Sequence, residues 1–151
     1  MPNSQERNTV RPGERIRSVV ALEILLRIVR KAVECFPGQD LESIVVFLTI
    51  STASAGSYLR DSELIRMLDE GPLPDEHHKP ISRRAVAETT GLPRESVRRR
   101  IDSLLAAGLL ATDQRGVKTM AGNITRGRNL EFARSLIREL EGAHAKLARW
   151  A

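Results

Sequence analysis

Long stretches of helical hydrophobic period alternate along this chain with short polar or Pro/Gly-rich breaks. From Glu14 to Phe36, Ile16, Val19, Val20, Leu22, Leu25, Leu26, Ile28, Val29 and Val33 recur at short helical steps. Arg17, Glu23, Arg27, Arg30, Lys31 and Glu34 fall between them. This period predicts a helix over 14–36. Its apolar surface is wider than one stripe, so it needs two things to bury against: its own domain and a second subunit. Pro37-Gly38 breaks the pattern. Asp40 is placed to cap a second helix, whose Leu41, Ile44, Val45, Val46, Phe47, Leu48 and Ile50 read as buried nearly all round. The small polar run Ser51–Ser57 reads as a continuation of that helix where a neighbour approaches closely, or as the lining of a ligand site. Tyr58 to Glu70 predicts a short amphipathic helix with Leu59, Leu64, Ile65 and Leu68 inward. Pro and Gly content makes 71–80 a solvated loop. Its neighbours His77 and His78 lack Cys, His or acidic partners at ligand spacing.

The segment from Pro80 to Leu110 carries the densest local information. Ser82 can cap a helix over which Ala85, Val86 and Ala87 allow close approach by another helix. Gly91 suits a left-handed turn, and Pro93 suits the opening of the next helix. In that helix Val97, Ile101, Leu104 and Leu105 form one apolar face. Arg94, Glu95, Arg98, Arg99 and Asp102 lie opposite, with Arg100 on the flank. Gly108 ends the helix, and Leu109 and Leu110 begin a strand.

The run RRAVAETTGLPRESVRRRIDSLLAAGLL resembles the winged helix-turn-helix transcriptional regulators, particularly the GntR and MarR types. The spacing of Ala87, Gly91 and Val97 carries the resemblance, with S-V-R-R at Ser96–Arg99 and the L-x-x-x-G-L-L ending. It covers roughly a third of the chain. It implies a recognition helix over 93–107 lying in the major groove of duplex DNA. Arg94, Glu95, Ser96, Arg98 and Arg99 would then face the DNA, joined by Arg83 and Arg84 from the first helix of the pair. Arginine suits this task because its planar fork can hold guanine O6 and N7 together, or a phosphate. The chain departs from those families in one place: about 25 residues separate the first core helix from the helix-turn-helix (82–107).

Residues 109–121 fit a wing. Leu109–Thr112 is one strand, Asp113-Gln-Arg-Gly116 a turn, and Val117–Met120 the return strand. Arg115 and Lys118 at the hairpin tip would reach the minor groove or backbone. An arginine-rich helix is often only a solvated face, and 20 of the 24 basic residues here are arginine. Charge placement argues otherwise. Residues 81–128 hold ten basic and four acidic residues, a local charge of +6, against +5 for the whole chain. Such a field supplies the salt-dependent phosphate attraction a DNA binder needs.

The last segment, 129–150, predicts a third long helix with Asn129 as cap and a stripe from Leu130 through Leu136, Leu140 and Leu147 to Trp150. It is suited to pair with the 14–36 helix of the same or a partner chain. The expected fold is mainly α with a small β-hairpin wing: an unstructured arm over 1–13, a dimerisation helix over 14–36, a winged-helix domain over 40–128 and a C-terminal helix over 129–150.

Composition narrows the function. Aromatics are 3% of residues, so the core is aliphatic. A lone cysteine, Cys35, forms no intramolecular disulfide and no metal cluster, and it fits a reducing compartment. The N-terminal residues lack a signal peptide's apolar run, and no uncharged stretch reaches membrane-span length. Nucleophile elbow, glycine-rich phosphate loop and metal-ligand spacing are all missing, so neither an enzyme nor a cofactor is expected. The expectation is a cytoplasmic, homodimeric, sequence-specific regulator that binds double-stranded DNA, with no membrane partner. A small-molecule effector is left open. The alternative is a winged-helix module that binds protein or RNA.

Overall fold

The computed structural model describes residues 9–151, which form six α-helices and a short antiparallel hairpin. The elements are α1 (Glu14–Cys35), α2 (Leu41–Ala55), α3 (Ser62–Glu70), α4 (Arg83–Thr90), α5 (Arg94–Ala106), β1 (Ala111–Asp113), β2 (Gly116–Lys118) and α6 (Gly127–Ala148). Single 3-10 turns lie at Tyr58–Arg60, Asp75–His77 and Asn123–Thr125. Of the arm expected over 1–13, residues 1–8 lie outside the described residues.

The helix boundaries follow from local chemistry. The Asp40 carboxylate accepts the Ser43 amide at 2.7 Å and opens α2. The Ser82 hydroxyl accepts the Ala85 amide at 3.1 Å and opens α4. Gly91 closes α4 at φ 71°, a left-handed position where a side chain would be strained. Asn129 does not cap α6. The helix starts two residues earlier, and the Asn129 side chain instead donates from Nδ2 to the Asn123 carbonyl at 2.9 Å.

α2 is the central helix. Ile44, Val46, Phe47 and Ile50 are buried on it and meet Val86 and Ala87 of α4 and Val97, Ile101 and Leu104 of α5. Leu41–Arg60, which contains α2, is the one segment among the described residues long and apolar enough to span a membrane. Its Ile44, Val46, Phe47 and Ile50 form the centre of the core. It is not buried all round, however: Leu41, Val45 and Leu48, at i, i+4 and i+7, are exposed. An apolar stretch in sequence does not report which face lacks a neighbour.

α1 and α6 pack antiparallel. Lys31 pairs with Glu131 at 2.6 Å and Arg27 with Glu139 at 3.2 Å. Phe36, just past α1, packs at a tilt against Phe47 of α2 (5.2 Å between ring centroids) and edge-on against Phe132 of α6 (5.7 Å). These three rings join the helical pair to the central core. Cys35 is buried beside them, and burial pushes its thiol pKa up, away from the reactive thiolate.

The 57–80 region departs most from expectation. Tyr58–Glu70 is not one helix. Asp61 interrupts it and caps α3, accepting the Glu63 and Leu64 amides at 3.0 and 3.3 Å. Leu59, Ile65 and Leu68, expected inward, are exposed, while Tyr58 is buried. The 71–80 loop is not wholly solvated either. Leu73 and His78 are buried, and His78 Nδ1 meets the Thr119 hydroxyl at 3.3 Å. A flat count of prolines and glycines misses Leu73, an apolar residue that its flanking prolines hold extended against the domain.

Candidate nucleic-acid interface

α5 exposes one face because the other is committed. Val97, Ile101 and Leu104 are fully buried against α2 and α4. Arg100 on the flank turns back to α2, bonding Asp40 at 3.1 Å and also pairing with Glu42, so it holds α5 in place rather than meeting solvent. The remaining surface carries Arg94, Glu95, Arg98, Arg99 and Asp102, all exposed.

Two kinds of arginine share this surface. Arg98 is clamped between Glu95 at 2.6 Å and Asp102 at 3.2 Å, and Arg83 of α4 reaches Asp102 at 2.8 Å. The Arg98 guanidinium bonded to Glu95 holds that carboxyl below its usual range. Arg84 pairs within α4, with Glu88 at 2.7 Å. By contrast, Arg94, Arg99 and Arg115 have no carboxylate partner among the described residues. Exposed pairs of this kind are each worth little, about 0–1 kcal/mol. The pairs set the side-chain geometry and balance Arg83, Arg84 and Arg98 with three carboxylates, so the uncompensated charge on this surface is that of Arg94, Arg99 and Arg115. Ser96 is half-buried at the first turn of α5.

The hairpin stands next to this helix pair. Asp113 pairs with Gly116, leaving Gln114-Arg115 as the two-residue turn. β1 starts at Ala111, later than the expected Leu109, because Leu110 is buried in the core and Leu109 caps off α5 through its amide to the Leu104 carbonyl. Arg115 sits at the tip, its amide on the Asp113 carboxylate at 2.7 Å. Lys118 does not sit at the tip. The register pairs it with Ala111 at the hairpin's open end, and its Nζ is held by the Asp75 carbonyl at 3.2 Å and lies 4.0 Å from Asp113. That takes Lys118 off the expected tip position.

Ile81 is a further strand position, outside the expected hairpin. Just before the Ser82 cap, it exchanges backbone hydrogen bonds with Val117, at 2.8 and 2.9 Å. The bridge ties the hairpin to the start of α4. Gly116 lies against it at φ 152°, where a Cβ would overlap the Ile81 carbonyl. The signal in the sequence is Ile81 itself, a β-branched residue between Pro80 and a cap, although its partner lies 36 residues away along the chain.

Among the described residues, no group of three or more His, Cys, Asp or Glu side chains could hold a metal ion. The chain matches no protein-family model, and no curated protein or solved structure is significantly similar to it.

Proposed function

We propose that this chain is a cytoplasmic, sequence-specific DNA-binding transcriptional regulator of winged helix-turn-helix architecture, acting as a homodimer with α5 in the major groove. The observation that carries the reading is the α5 surface. A fully buried aliphatic face fixes the helix, and Arg94, Arg98 and Arg99 are exposed on its remaining surface. Three features support the architecture: the tight turn at Gly91 between α4 and α5, the hairpin beyond α5, and the Ile81–Val117 bridge at its edge. The contact set is Arg83, Arg84, Arg94, Glu95, Ser96, Arg98 and Arg99 with Arg115 from the hairpin tip. Lys118 has the weakest geometric claim to a DNA contact.

The dimer reading rests on apolar surface. After α1 has packed on α6, Val19, Leu22, Leu26 and Val33 remain 47–66% exposed at three-, four- and seven-residue steps, the seam spacing of a helix pair. On α6, Ile137 and Leu140 are exposed as well. A soluble monomer rarely leaves so continuous a stripe uncovered. Two copies joined there would present two α5 helices to a palindromic site, roughly one helical turn apart.

A mobility-shift titration tests the reading, comparing wild type with Arg98→Ala/Arg99→Ala on duplex DNA from upstream of the chain's own gene. Wild type should shift the duplex. The double variant, its circular dichroism unchanged, should lose at least tenfold in affinity, and its log K against log salt slope should flatten by about 2. Equal affinity in both proteins would remove α5 from the contact.

A further inference from the structure

A cavity of about 360 Å3 lies away from α5, where the 57–80 segment closes over the base of the hairpin. Its walls include Tyr58, Leu68, Leu73, His78, Met120 and Asn123. The volume falls within the range of small-molecule sites, roughly 300–1,000 Å3. Among the described residues no Lys, Arg, Asp or Glu lines it, so a charged guest would lose its hydration with nothing there to replace it.

Two polar groups in these walls are unusual. Tyr58 is only 3% exposed, yet its Oη is enclosed without a hydrogen-bond partner among the described residues. Its ring meets His78 edge-on at 5.9 Å between centroids. His78, 8% exposed, bonds Thr119 through Nδ1, which leaves Nε2 without a partner among the described residues. Buried hydroxyls are ordinarily paired, and one left unpaired beside an apolar cavity calls for a partner from elsewhere. We infer that this cavity is a binding site for a neutral, largely apolar molecule of one to two rings, carrying a single hydroxyl or carbonyl that bonds the Tyr58–His78 pair. The apolar body lies against Leu68, Leu73 and Met120. The site shares its wall with the hairpin, since Thr119 and Met120 come directly after β2. It stands or falls independently of DNA binding.

The test is methyl NMR on the full chain labelled at methionine Cε, titrated with 1-naphthol as probe. Met120 lines the cavity and Met67 does not, so Met67 is the internal reference. Saturable movement of Met120 alone, at one naphthol per chain, is the expected result. Tyr58→Phe removes a hydroxyl that has no partner, so the fold should persist. It should weaken naphthol about tenfold while leaving naphthalene, which lacks the hydroxyl, unchanged. Leu68→Trp, at the half-exposed rim, should fill the space and abolish the Met120 response to both probes. An unmoved Met120 would overturn the site, as would parallel movement of Met67, which signals general adsorption on apolar surface. Equal naphthol affinity in Tyr58→Phe would overturn the assigned polar contact.

Discussion

Asp40 performs two tasks with one carboxylate. It caps α2 by accepting the Ser43 amide, and it bonds Arg100 on the flank of α5. Both interactions favour the charged form, the Ser43 amide most strongly, and hold its pKa below the usual carboxylate value. A carboxyl whose pKa falls on folding contributes stability above its unfolded value of about 4, and that contribution is lost as pH drops through the lower folded value. Asp40→Ala should therefore cost about 1 kcal/mol at pH 7 by urea denaturation. The gap from wild type should narrow below about pH 4. Capping chemistry was legible at Asp40, Ser82 and Gly91, which act where their side chains, or the lack of one, predict, but not at Asn129, which lies inside α6. Lys118 was not legible, because basic character near a turn says nothing of register. One hydrogen-bonded pair, Asp113 with Gly116, decides that Arg115 sits at the tip and Lys118 at the open end.

Among the elements, strongly periodic helices were readable and the segments between them were not. α1, α2, α4, α5 and α6 fall within a few residues of their hydrophobic patterns because each has an apolar face that must be covered. The 57–80 segment has an apolar period, but Leu59, Ile65 and Leu68 that make it are exposed, so the period does not report what is buried. Its buried anchors are single residues, Tyr58, Leu73 and His78, and His78 finds its hydrogen-bond partner, Thr119, 41 residues along the chain. The hairpin shows the same dependence on distant contact. Gly116 is needed less for its turn than for the Ile81 carbonyl it faces. Gly116→Ala should destabilise the protein by more than about 1 kcal/mol, from positive φ and the overlap together. Thermal melts should register the loss. Gly38→Ala, also at positive φ but with open space around its Cβ, should cost less. Equal losses at the two glycines would show that backbone conformation alone matters at position 116.

At the scale of the whole molecule, two surfaces lie apart: the arginine face of α5 with the hairpin tip, and the apolar stripe along α1. The second predicts association. Sedimentation equilibrium at micromolar concentration should give a dimer, and Leu22→Glu/Leu26→Glu should give a folded monomer. A wild-type monomer under those conditions would contradict the stripe's assignment. The net charge of residues 81–128 was visible in sequence, but its partition between paired and unpaired arginines was not, since Arg83 and Asp102 are joined only by the packing of α4 on α5. The most direct measurement is selection of binding sites by the wild-type protein from a pool of random duplex DNA at physiological salt. DNA recognition by a dimer predicts enrichment of one palindromic sequence, its half-sites centred roughly 10 base pairs or a multiple of that apart. The Arg98→Ala/Arg99→Ala variant should fail to enrich it. A pool that emerges unenriched from the wild-type protein, or equally enriched by the variant, would contradict the claim that α5 reads DNA.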